Sequence, residues 1–371
     1  MKKIKFLILT MGPGETIQGT ALANYVLGKK NDVTLAARMR LNYRFLRKQK
    51  QLFKVCLVET EKQLKKVFEA ERPDVFVLCN SKIVHYYKDF FLSPPSPKPV
   101  TVSLDSNWLF LKNEKWYSFI EWADRYLIVF PKKIFNLGLK KYGGDYNIPA
   151  HIIKKIETVG FIPSFKKISL KEKLRIKEKY KIGKNEKLIF SYFGGFGAGF
   201  HPWALDNLIK AVEYLNQEGC QIKIILCCRK ENVKGLEGKS WLIIEELLSD
   251  KEFFSILSSS DLVFQHQGLG TLAQAISSQI PVIANVRNIK DEPYPGHAHA
   301  WEVGPFAKLN MCKMLLKNSP LESIEKGIKK LLYGKKEIER MKNAQKKYYA
   351  PGEPATYKII KGLLKTKIWK N

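Results

Sequence analysis

Residues 261–285 read DLVFQHQGLGTLAQAISSQIPVIAN. A short apolar run leads into His266, a Gly-Leu-Gly-Thr turn follows, and an alanine-rich segment of helical character comes next. A second apolar run, PVIANV, closes the stretch. Strand, glycine turn, helix and strand with no polar alternation in either strand describe a parallel sheet covered on both faces.

The same grammar extends upstream. KLIFSYFGGFGAGF (187–200) is a strand entering a glycine loop. PWALDNLIKAVEYLNQEG (202–219) is a helix with Pro202 near its start and Gly219 at its end. CQIKIILCC (220–228) is a strand and DKEFFSILSSS (250–260) a helix. The first part of the chain repeats the pattern. KIKFLILT (3–10) precedes a helix over about 16–27, then come DVTLAAR, KVCLVE, a helix through EKQLKKVFEAE, DVFVLCN, PVTVSLD and RYLIVF. IETVGFIPSF (156–165), with Gly160 and Pro163, marks a hinge. The expected fold class is α/β: two tandem Rossmann-like, doubly wound parallel-sheet domains facing across a cleft. The expected boundaries are 1–162, 163–350 and a last helix over 351–371 that packs back toward the first domain.

With 371 residues, 45% of them hydrophobic, the chain is long enough for two cores. Lysine and arginine total 64 against 35 acids, a formal charge of +29. Such a field attracts nucleic acid, anionic lipid or phosphorylated small molecules. Surface lysine spread over the whole molecule explains the same number, so charge alone assigns no partner. The six cysteines are scattered, with no C-x-x-C pair. This suits buried thiols in a reducing, cytoplasmic setting, not a disulfide frame or zinc site. The opening MKKIKFLILTMGPGE has the lysines of a secretory leader, but its apolar run is short and ends in Gly-Pro-Gly-Glu. It reads as a first strand, and no stretch approaches the roughly 20 apolar residues of a membrane span.

Three glycine turns fall at strand ends: MGPGETIQG (11–19), FGGFGAG (193–199) and HQGLGT (266–271). Ligands of open parallel sheets bind beyond those ends, and the free N–H groups opening a helix suit a phosphate. One such turn is weak evidence, because tight turns need glycine anyway. Two within one domain, at successive strands, weigh more. Neither G-x-G-x-x-G nor the Walker pattern is present.

The segment His266-Gln267-Gly268-Leu269-Gly270-Thr271 resembles the nucleotide-sugar signature of GT-B glycosyltransferases, and GPGE after the first strand resembles that family's acceptor loop. The likeness spans nearly the whole chain. It implies that His266 donates to the donor diphosphate and that Gly268, Gly270 and Thr271 supply further donors. Gly194, Gly195 and Gly197 would line the other side. Where the family often carries a ribose-binding carboxylate, this chain has Gln274, a weaker partner for hydroxyls. Asp291 and Glu292 stand where the family grips sugar hydroxyls, and an ordinary acidic loop is the alternative. Gly12 and Gly14 shape the acceptor loop.

For an inverting transfer, Glu15 is the first candidate base and Asp105 the second; placement at a helix start gives Glu15 a structural alternative. A retaining enzyme would need no such base. No cofactor and no metal are expected. His297 and His299 form an H-x-H pair without a third ligand at recognisable spacing. Trp241 has apolar neighbours and reads as core.

Between Val33 and Val58 no acid occurs. Arg38, Arg40, Arg44, Arg47, Lys48, Lys50 and Lys54 alternate with Leu41, Tyr43, Phe45, Leu46, Leu52 and Phe53. On the acceptor side this mixture suits a lipid-linked acceptor and an anionic membrane surface through 38–54, at the inner face of the membrane. A solvated basic helix packing its apolar face inward is the plainer alternative. TYKIIKGLLKTKIWKN (356–371) is amphipathic, and packing across the domains is preferred to lying on a membrane.

The expected activity is transfer of a sugar, UDP-linked, to a hydroxyl acceptor. A non-hydrolysing UDP-sugar 2-epimerase is the alternative: PVIANVRNIKDEP and GPGETIQ resemble its strand exit and first loop in part, although its mid-chain His-x-Glu-x-Gly segment is missing. A basic nucleic-acid-binding protein ranks third, lacking a recognition helix, an aromatic RNA-binding sheet or a zinc finger.

Overall fold

A computed structural model of the chain describes residues 3–49, 51–92, 96–106, 117–142, 149–163, 168–193, 201–236, 238–246, 248–266, 269–287 and 300–368. The chain divides into two compact units, Met1–Ser164 with Ala350–Asn371, and Phe165–Tyr349.

In the first unit seven strands form one sheet: β1 (Lys5–Thr10), β2 (Asp32–Ala37), β3 (Lys54–Leu57), β4 (Val75–Cys79), β5 (Val100–Asp105), β6 (Arg125–Ile128) and β7 (Ile156–Thr158). Their order is β3-β2-β1-β4-β5-β6-β7, all neighbours parallel. The connections carry α1 (Pro13–Gly28), α2 (Arg40–Lys48), α3 (Glu61–Glu71), α4 (Lys88–Leu92), α5 (Tyr117–Trp122), α6 (Lys132–Tyr142) and α7 (Ala150–Ile153). Both faces of the sheet are covered, which is why its central strands β4 and β5 are buried from end to end. Phe6, Ile8, Val77 and Val102 belong to one core, and Leu7, Leu9, Phe76 and Leu78 to the other. Gly19 sits where α1 crosses the sheet. A Cβ there would come within 2.5 Å of Thr10 Cγ2, so glycine permits the close approach.

The second unit repeats the winding. β8 (Lys187–Tyr192), β9 (Ile222–Cys227), β10 (Leu242–Glu245), β11 (Leu262–Gln265), β12 (Val282–Val286) and β13 (Lys313–Leu316) lie in the order β10-β9-β8-β11-β12-β13, again parallel. Its helices are α8 (Leu170–Lys179), α9 (Pro202–Gln217), α10 (Asp250–Ser259), α11 (Leu269–Ser277), α12 (Ala300–Lys308), α13 (Leu321–Tyr333) and α14 (Lys335–Tyr348). Trp241 packs against the core under α9 and α13. The strand orders place a topological switch beside β1 in one unit and beside β8 in the other, where a doubly wound sheet opens a crevice at its carboxyl edge.

The last helix, α15 (Gly352–Ile368), belongs to the first unit. Phe161 N–H donates to Ala350 O at 2.7 Å, and Gly352 N–H to Phe161 O at 2.8 Å. Ile360 is fully buried, Tyr357 stacks on Phe6, and its hydroxyl accepts from Asn31 Nδ2 at 3.1 Å. On the basic helix α2, Leu46 is buried, and Asn42 Nδ2 donates to Met11 O at 3.1 Å, tying that helix to the first glycine turn. All six cysteines are free thiols. Among the described residues no helix is long and apolar enough to cross a membrane.

Candidate functional site

At the carboxyl edge of the first sheet, the β1–α1 turn sets Gly12 at the N-cap, Pro13 and Gly14 next, and Glu15 in the first helical turn. Thr16 Oγ1 donates to Gly12 O at 2.8 Å and fixes the turn. Asn80 follows β4 with φ +92°, a conformation few non-glycine residues adopt. Its Nδ2 donates to Glu15 Oε1 at 2.7 Å, while its backbone N–H donates to Leu104 O at 2.9 Å. Backbone strain of this kind concentrates at functional positions. Asp105, the last residue of β5, is 2% exposed and accepts from the buried Tyr126 hydroxyl at 2.9 Å. Cys79 ends β4, the strand between β1 and β5 in the sheet. Burial pushes its thiol up first, and the negative charges of Glu15 and Asp105 push it further. The structure therefore brings Glu15 and Asp105 to one end of one sheet.

Gly12 has a local reason to be glycine. A Cβ there would lie 2.5 Å from Glu15 Oε2. Because the obstructing atom ends a flexible side chain, Gly12→Ala is expected to fold with a melting temperature within a few degrees of the parent. The Glu15 carboxylate would be displaced, and on the reading of Glu15 as a base turnover would fall by roughly tenfold or more. Circular dichroism and a steady-state assay check the two halves. A Cβ on Gly14 meets nothing within 4 Å, so packing does not demand glycine there.

The second unit gathers a different set. The register pairing Gln265 with Tyr192 puts the next residues, His266 and Phe193, side by side. Their rings stack with centroids 4.5 Å apart and planes 4° from parallel. His266 is 3% exposed and meets His201 edge-on at 5.3 Å. His201 occupies the N-cap position of α9 without a side-chain capping bond and stacks on Trp203. Arg287, just beyond β12, brings Nη2 to 3.0 Å from His201 Nδ1. Since a guanidinium only donates, His201 Nδ1 is the acceptor in this contact. Gly270 and Thr271 lie in the first turn of α11, and a Cβ on Gly270 meets nothing within 4 Å. Gln274 is 2% exposed, and its Oε1 has no hydrogen-bond partner among the described residues. Both amide atoms of the fully buried Gln265 share that condition. A buried amide left without a partner costs about 1–3 kcal/mol.

Gly194, Gly195, Gly197, Gly268, Asp291, Glu292, His297 and His299 lie outside the described residues. Among the described residues no group of three or more His, Cys, Asp or Glu side chains is placed to hold a metal. Sequence reading passed over Asn80, Tyr126, His201 and Phe193. Each follows, caps or sits beside a strand end already suspected of binding, and scanning the residue after every strand would have found Asn80 and Phe193.

No protein-family model matches this chain, and no curated protein does. Solved structures do. The glycotransferase of kitacinnamycin aligns over 98% of this chain and 99% of its own, with 11% identity and a TM-score of 0.65. The glycosyltransferase SnogD of Streptomyces nogalater aligns over 98% and 100%, with 12% identity and a TM-score of 0.63. The UDP-GlcNAc 2-epimerase of Neisseria meningitidis, solved bound to UDP-GlcNAc, aligns over 98% and 100%, with 14% identity and a TM-score of 0.62. The two parallel sheets, the shared strand order and these end-to-end likenesses give the chain the GT-B fold, built from two tandem Rossmann-like α/β units.

Proposed function

We propose that the protein is a metal-independent glycosyltransferase that moves a sugar from a nucleotide donor, UDP-linked, to a hydroxyl acceptor. The observation that carries this reading is the second unit's strand-end cluster. His266 is held between Phe193 and His201 at the opening of α11, and Arg287 supplies a cation beside His201. A helix N-terminus, an imidazole and a guanidinium are the donors a departing diphosphate needs. That a solved protein of this fold carries UDP-GlcNAc supports the choice of ligand.

In the proposed inverting reaction Glu15 takes the proton of the acceptor hydroxyl while that oxygen bonds to the anomeric carbon. The bond from that carbon to the diphosphate breaks, and its electron pair leaves on the diphosphate oxygen. The Asn80 amide holds one oxygen of Glu15 and leaves the other to accept the proton. Asp105, hydrogen-bonded to Tyr126, is the second carboxylate that could serve. A lipid-linked acceptor and an anionic membrane surface belong to the same proposal. Leu52 is 86% exposed in a segment where Arg44, Arg47 and Lys48 supply positive charge.

A 2-epimerase is the second reading, favoured by the Arg287 strand exit and by the epimerase likeness. A melting-temperature screen with UDP, GDP and TDP comes first, because a ligand held by the folded state alone raises the midpoint by mass action. Incubation with UDP-sugars and lipid extract then separates the readings. UDP release that depends on the extract supports transfer. Formation of the 2-epimer without any acceptor supports the epimerase. A flat response to all three nucleotides contradicts both.

A further inference from the structure

At the other end of the second sheet lies a cavity of about 390 Å³, at the small end of the roughly 300–1,000 Å³ range of ligand sites. Lys187 opens β8 and Asp261 directly precedes β11, so the cavity borders the amino ends of the strands, away from His266 and Arg287. Its floor is aliphatic, with Ile280, Leu331 and Leu332 nearly buried. Its α8 wall presents Leu170 and Leu174, one helical turn apart, 72% and 53% exposed. Lys173, Lys177, Lys187 and Lys342 surround it. The one carboxylate among its described lining residues, Asp261, already accepts from Leu188 N–H at 2.9 Å and stands 4.0 Å from Lys187. Lys177 and Lys342 make no ion pair among the described residues.

We propose that this cavity binds a single-chain anionic amphiphile, an aliphatic tail ending in a carboxylate or phosphate. The tail covers the exposed leucines and the aliphatic floor, removing their apolar surface from water. Lysine suits the head, being a mobile point charge whose own methylene stem packs on apolar surface. No described lining residue is aromatic, which disfavours a nucleobase or a sugar ring. The site is independent of the transfer reaction proposed above.

Titration calorimetry with decanoate, below its micellar concentration, tests the proposal on the full chain. Decyl phosphate, decanol and inorganic phosphate serve as parallel probes. Decanoate and decyl phosphate are expected to bind one per chain. The Lys177→Gln/Lys342→Gln double variant should weaken both at least tenfold, and Leu174→Asp should weaken them further. Decanol and inorganic phosphate should each bind at least tenfold more weakly than decanoate. Leu174 and Lys342 are exposed and Lys177 is half-buried, and an unchanged melting temperature shows that the fold is intact. Decanoate binding unaltered in the double variant would overturn the proposal. So would decanol binding as tightly as decanoate, or an acidic peptide binding where decanoate does not.

Discussion

Glu15→Gln is expected to lower kcat by roughly 10²–10⁴-fold, the contribution a positioned general base makes, while UDP affinity stays within about threefold. The substitution is isosteric, and a glutamine Oε1 still accepts from Asn80 Nδ2, which donates to Glu15 at 2.7 Å. What is lost is the capacity to take a proton. Asn80→Ala provides the companion measurement. Removing the amide frees the carboxylate to wander without discharging it, so kcat should fall less, by about tenfold. Asp105→Asn addresses the rival base. Asp105 is 2% exposed beneath the Tyr126 hydroxyl, less open to an acceptor than Glu15 in its helix-opening turn. A full collapse for Asp105→Asn beside an active Glu15→Gln would exchange the two roles. Unchanged turnover in both would remove carboxylate base catalysis from the proposal.

Arg287→Met carries the second large effect. A hydrogen bond to a charged group contributes about 1.5–3 kcal/mol, so UDP affinity should drop roughly 10–100-fold. Turnover with a UDP-sugar should fall further, because negative charge on the diphosphate grows as the sugar bond breaks. Arg287→Lys should recover only part, since an ammonium lacks the planar fork that suits two phosphate oxygens. Raising salt should weaken the parent more than the methionine variant. His266→Ala is the less clean probe. It removes the ring stacked on Phe193 along with the donor, so a loss of packing accompanies any loss of binding.

Much of the fold was legible because central strands of a covered parallel sheet are continuously apolar. FLILT, VFVLC and LVFQ stand out whatever surrounds them. β10 and β13 did not stand out. Both are four-residue edge strands, mostly half-buried, and LIIE and KMLL carry too little pattern to separate from a loop or helix end. The turns that open α1 and α11 were visible in their glycines. The side-chain pairings were not, since they arise from strand adjacency. Glu15 meets Asn80 across 65 positions only because β4 lies beside β1, and Phe193 meets His266 only because β11 lies beside β8. Asn80 itself looked like an ordinary end to DVFVLCN, and its positive φ has no sequence signal.

A crystal structure of the protein grown with UDP probes the central claim most directly. The diphosphate should rest at the first turn of α11, within hydrogen-bond distance of His266 and the Arg287 guanidinium. Nucleotide bound at any other place on the chain, with that strand edge unliganded, would contradict it.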